Sequence, residues 1–135
     1  MKSSQSIVVE RLHQALNEHN LETLLACFAP SFQGEQPLHP ARAFEGIEQV
    51  RKNWSIIFQD VPDFHAELLR LTVAGDTAWI EWHYFGTRGN GIQLDMRGVS
   101  IVGIEADRIK WARLYMEPVQ AVGEGIDTAV KSLFQ

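Results

Sequence analysis

Four side chains able to bind or react recur at every second position near the end of this chain: Trp111, Arg113, Tyr115 and Glu117. In an extended segment they share one face, because successive side chains alternate. Two large aromatics, a cation and a carboxylate suit neither a dry core nor an open surface. They suit a concave pocket that is apolar with a few converging polar groups. The opposite face would carry Lys110, Ala112, Leu114 and Met116. Pro118 ends the strand, having no N–H for the ladder. Walled by Trp111 and Tyr115, a carboxyl at Glu117 would lose solvation and be pushed up towards neutrality. Such a group accepts a proton from a carbon beside a carbonyl and returns it elsewhere. The competing reading is an ion pair between Glu117 and Arg113, which would hold Glu117 ionised.

Other residues add candidates. Glu81 and His83 share one face of Trp79 to Phe85, and Trp82 and Tyr84 share the other. Facing inward, Glu81 would orient His83 as a base. His83 or Tyr115 would then polarise an enolate oxygen. Facing elsewhere, His83 is a hydrogen-bonded packing residue, and the strand alone does not decide between the faces. Trp54 and Phe58 lie on the inner side of a helix, as wall residues with Trp82 or as plain core. His13 projects with Leu16 towards a pocket mouth. His39, in Pro37-Leu38-His39-Pro40, belongs to a loop that could act as a lid.

Composition narrows the classes. The 135 residues carry 12 Lys and Arg against 17 Asp and Glu, a net charge of −5. No basic run offers a phosphate footprint, so nucleic acid is not expected as a partner. Cys27 is the single cysteine, so neither an internal disulfide nor a thiolate metal site forms. The five histidines show no metal-ligand spacing, and no glycine-rich phosphate cradle opens a helix. Neither a metal nor a cofactor is expected. No apolar run approaches the ~18 residues that span a bilayer, and the N-terminus lacks a secretory apolar segment. No membrane association and a cytoplasmic location are the expectation.

The elements that would position these residues follow from periodicity and punctuation. Ser6 would cap a helix whose Val8, Leu12, Ala15 and Leu16 share a face, and Asn17 to Asn20 would break it. Leu21 to Phe28 predicts a second helix. Residues 32–43, with Gly34, Pro37 and Pro40, predict a loop, with a short strand near Phe44. Gly46 to Gln59 predicts a third helix. Strands are expected at 64–74, 77–87, 94–105 and 108–117, reversing at Gly75-Asp76, Gly89-Asn90-Gly91 and Ala106-Asp107. Ile126 to Phe134 reads as a short helix or an arm. The whole is one α+β domain over residues 1–135, with N-terminal helices packed on a strongly curved antiparallel sheet that forms a cone-shaped pocket.

This order, and its local wording, resembles the SnoaL-like branch of the nuclear transport factor 2-like superfamily. The matching pieces are Leu16-Asn17-Glu18-His19-Asn20-Leu21-Glu22, Val61-Pro62-Asp63-Phe64, Gly75-Asp76-Thr77-Ala78-Trp79-Ile80-Glu81-Trp82, Phe85-Gly86-Thr87, Arg97-Gly98-Val99 and Tyr115-Met116-Glu117-Pro118. The superfamily includes ketosteroid isomerases, polyketide cyclases, limonene-epoxide hydrolases and dehydratases, and also binding and dimerisation modules. The resemblance implies a hydrophobic small-molecule ligand and a homodimer through the outer sheet face. Glu117 falls where the cyclases carry an acidic acid/base, although Asp is expected there. The epoxide hydrolases pair Asp and Arg two apart on one strand with a later carboxylate. Asp95, Arg97 and Glu117 match that spacing, and a surface salt bridge explains the first two equally well. Two functions stay open: cofactor-independent acid/base isomerisation, cyclisation or dehydration of a carbonyl-bearing apolar molecule, or non-catalytic ligand binding or dimerisation.

Overall fold

In the computed structural model, which describes residues 2–135, helix α1 spans Ser4–Glu18. Its cap is Ser3 rather than Ser6: the Ser3 hydroxyl accepts the Ser6 amide at 3.1 Å. The α1 stripe Val8, Val9, Leu12, Ala15 and Leu16 is buried. His19 adopts the left-handed conformation that closes the helix. Asn20 then caps α2 (Leu21–Ala26) by accepting the Thr23 amide. Helix α3 spans Ile47–Asp60, opening at Gly46 and burying Val50. Among the described residues, no helix is long and apolar enough to cross a membrane.

Six strands form one sheet: β1 (Phe28–Glu35), β2 (Phe44–Glu45), β3 (His65–Ala74), β4 (Thr77–Thr87), β5 (Gln93–Glu105) and β6 (Arg108–Pro118). Their order is β2-β1-β6-β5-β4-β3. The meander β3 to β6 is antiparallel and uses the three reversals expected from the sequence. Strand β1 corrects two expectations. Residues 32–35, expected in a loop, extend β1, and α2 stops at Ala26 because Phe28 already pairs with Ile109. β1 runs parallel to β6, so the sheet is antiparallel only in part. Pro30 hid this strand, and it sits where the β1/β6 register shifts between Phe28 and Gln33. Beyond the shift, Phe32 and Gly34 are buried while Gln33 and Glu35 are exposed, the period of a half-buried strand.

The sheet curls strongly. Gly98 has φ +155°, and a Cβ there would lie 2.0 Å from the Tyr115 carbonyl oxygen, so only glycine lets β5 approach β6 this closely. Register shifts in β3 and beside Gly103 add local bends. The concave face carries Ala78, Ile80 and Trp82 of β4 and Ala112 and Met116 of β6, all buried in one cluster with α1 and α2. The α+β cone is therefore as expected. A fourth helix, α4 (Ile126–Phe134), follows the sheet and buries no residue.

Candidate functional site

The concave face, α1 and α3 enclose a cavity of about 710 Å³. That is the size of pockets that hold drug-sized molecules. Leu12, Leu16, Trp54, Met96, Leu114 and Met116 supply much of its apolar wall. Asn53 of α3, Tyr84 of β4 and Ser100 of β5 place neutral polar side chains among them.

Each of the three keeps a donor for a ligand. The Trp82 indole N–H donates to Ser100 Oγ at 2.9 Å, which leaves the hydroxyl hydrogen uncommitted. The Gln49 amide donates to Asn53 Oδ1 at 2.8 Å, leaving the Asn53 –NH₂ available. The Tyr84 hydroxyl has no protein partner among the described residues, and burial pushes its phenol above the ordinary range. It is thus a neutral donor at physiological pH.

Charge sits at the mouth. Glu117 lines it with Glu35, Arg42, Asp60 and Arg88. His39 Nε2 lies 2.5 Å from Glu117 Oε1. This contact exists because β1 ends at Glu35 opposite Arg113, leaving one edge of β6 open to the 36–43 loop. Arg88 Nε donates to Asp60 at 3.0 Å. That bond and the Gly89 amide hold the Asp60 carboxyl below its usual range. Asp60 is therefore a weak base, and Glu117 is the mouth carboxylate with an imidazole attached.

Several residues singled out from the sequence lie elsewhere. Trp111, Arg113 and Tyr115 do not face the cavity: Ala112, Leu114 and Met116 do. The small and aliphatic residues Ala112, Leu114 and Met116 let the helices sit over a hollow. The bulky odd face is turned outward, where the Trp111 indole covers Gly103 and the Arg113 guanidinium stacks on Trp111 at 5.0 Å. Arg113 approaches Glu35 rather than Glu117, at 3.9 Å. Glu117 is 47 % exposed, so the dry aromatic surroundings expected for it are absent.

The outer face also takes Glu81, His83, Asp95 and Arg97. Glu81 approaches Arg70 at 3.6 Å. His83 lies between Glu67 at 2.9 Å and Asp95 at 2.7 Å, so Glu81 does not orient it. Asp95 and Arg97 line no part of the cavity, and the epoxide-hydrolase set is not assembled around it. His13 and Phe58 are packing residues. His13 bonds to the Ala66 carbonyl at 2.8 Å and meets the edge of Trp82, while Phe58 stacks on His19 at 4.8 Å. Trp54 and Trp82 do line the cavity.

Asn53, Tyr84 and Ser100 were missed by the sequence reading. A signal for Tyr84 existed: the run Ala78, Ile80, Trp82, Tyr84 is more apolar than Thr77, Trp79, Glu81, His83 and marks the inward face.

Comparison with known proteins gives the cone a lineage. A family model described as a SnoaL-like domain matches residues 9–112. No curated protein matches the sequence. Among solved structures, a provisionally assigned SnoaL-like polyketide cyclase from Jannaschia sp. CCS1 is 18% identical, with 87% of this chain and 90% of that one covered and a TM-score of 0.73. IdmH, provisionally a polyketide cyclase from Streptomyces antibioticus, is 18% identical over 85% and 91%, with a TM-score of 0.72. A nuclear transport factor 2-like protein of unknown function from Burkholderia pseudomallei K96243 is 15% identical over 89% and 94%, with a TM-score of 0.73. At these identities the structures share the fold. The family model covers most of the residues that build the cavity, and the chain belongs to the SnoaL-like domain family.

Proposed function

We propose that the cavity binds an uncharged, largely apolar small molecule bearing carbonyl or hydroxyl oxygens, and that Glu117 and His39 move a proton at its outward end. The observation that supports the binding reading is the lining: an apolar wall in which Asn53, Tyr84 and Ser100 are neutral donors, while the charged side chains Glu35, Arg42, Asp60, Arg88 and Glu117 are the more exposed ones. A charged ligand would lose its hydration there without a counter-charge. An oxygen acceptor would meet Tyr84, Ser100 and Asn53. The proton transfer needs only side chains. Glu117 abstracts a proton beside the carbonyl, His39 orients the carboxylate, and Tyr84 donates to the developing oxyanion. Isomerisation, cyclisation and dehydration all begin with such a step. A ligand-binding protein without catalysis is the second reading, favoured by the exposure of Glu117, the carboxylate given the part of base.

The neutral fluorescent ketone prodan tests both halves, since it has a carbonyl and exchangeable hydrogens beside it. Saturable binding is expected, with Tyr84→Phe weakening it about fivefold, the equivalent of one neutral hydrogen bond of ~1 kcal/mol. In D₂O the protein should speed deuterium uptake at the carbon next to the carbonyl, and Glu117→Gln should remove the effect. Binding with no exchange would favour the non-catalytic reading. Exchange that survives Glu117→Gln would refute the role given to Glu117.

The expected homodimer belongs to the same proposal. The outer sheet face exposes Trp79 and Tyr115 and carries Val99, Ile101 and Trp111 beside them. An apolar patch on an otherwise charged face suits a second copy related by a two-fold axis.

A further inference from the structure

Helix α4 buries none of its residues. Ile126, Val130, Leu133 and Phe134 recur at the spacing of a single helical face, and all four are exposed, Ile126 by 77% and Phe134 by 82%. Isolated helices of nine residues are marginal in water, so such a stripe stabilises a helix only by covering something apolar. An apolar rim lies at the start of its tether. Pro118 lines the cavity mouth, and the arm to α4 leaves directly from it. Four large exposed apolar side chains either line that mouth or adjoin its residues along the chain or by a hydrogen bond: Ile56, Leu38, Val119 and Ile92. Ile56 itself lines the cavity. Leu38 precedes His39, which holds Glu117. The Ile92 carbonyl accepts the amide of Arg88, another mouth residue.

We infer that the apolar face of α4 docks on this rim and closes the cavity of its own chain. This inference rests on the cavity being the ligand site. Lengths permit the contact. The arm of residues 119–125 reaches up to roughly 23 Å when extended. The helix, at 1.5 Å per residue, is about 14 Å long, while a sphere of the cavity's volume is about 11 Å across. Gly123 and Gly125 give the arm the freedom to fold back. Charge is compatible too. Arg42 at the mouth has only the Gln36 amide as a partner among the described residues, and Asp127 sits in the first turn of α4. A tether this short places α4 at millimolar effective concentration beside the rim, which favours its own chain over another copy. Docking would remove water from the Glu117–His39 pair and slow escape of the ligand.

The contact is testable in the full chain without a ligand. A nitroxide on Lys131→Cys leaves the four apolar residues intact, and Cys27 escapes labelling because burial hides it and pushes its thiol up. In ¹⁵N-labelled protein, the amides of Leu38, His39, Ile56 and Ile92 should lose at least half their intensity. Adding Leu133→Asp and Phe134→Asp should restore it. Full intensity at those amides in the labelled chain would overturn the inference. So would broadening that appears only when the nitroxide sits on a separate, ¹⁵N-free molecule, since α4 would then dock on a second copy. Prodan uptake is read separately. Loss of rim broadening with normal uptake rejects the lid alone, whereas rim broadening in a protein that takes up no prodan keeps the contact and rejects the cavity reading.

Discussion

In the proposed reaction Tyr84 and Glu117 divide the chemistry by position: one is a half-buried neutral donor, the other a half-exposed base. Their environments make separate predictions. Because burial raises the Tyr84 phenol above ~10, the unfolded chain loses its proton first as pH climbs. The contribution of Tyr84 to stability is therefore intact below that pH and declines above it. Alkaline unfolding followed by circular dichroism should show a smaller loss between pH 10 and 11 in Tyr84→Phe than in the parent. Glu117 and His39 make no core contact, so Glu117→Gln should change the melting temperature by no more than a degree or two while removing proton exchange. Trp82 differs from both. Its indole is 1 % exposed and bonded to Ser100, so Trp82→Ala should cost about 3–5 kcal/mol in a denaturant titration.

The elements were legible where periodicity and turn residues agreed, and illegible where one residue obscured the other signals. The meander was readable because Gly75-Asp76, Gly89-Asn90-Gly91 and Ala106-Asp107 each fall between runs of strand-forming residues. β1 was not, because Pro30 broke its alternation and its partner β6 lies some eighty residues away. The inward face of β6 was misjudged for a related reason. Trp111, Arg113 and Tyr115 look like pocket residues, yet a cavity needs small and aliphatic walls such as Ala112 and Leu114 to leave room, and the bulk goes outside. Tertiary curvature decides this, and Gly98 controls the curvature. Gly98→Ala would drive a methyl group into the Tyr115 carbonyl and should cost about 2–3 kcal/mol in chemical denaturation.

For the whole molecule, two surfaces of opposite curvature do different work. In the proposed dimer the convex face offers the exposed Trp79 and Tyr115 to a second copy, and light scattering should give about twice the 15.3 kDa chain mass. Tyr115→Glu with Trp79→Glu should return the mass to that of one chain without loss of ligand binding. The concave face holds the cavity on which the functional reading depends. The most direct test is a prodan titration of three proteins: the parent, Leu114→Trp, which fills the hollow from within, and Tyr115→Ala, which alters the convex face on the other side of β6. One saturable site per chain, abolished by Leu114→Trp and kept by Tyr115→Ala, is the predicted result. Binding that survives Leu114→Trp and disappears with Tyr115→Ala would contradict it.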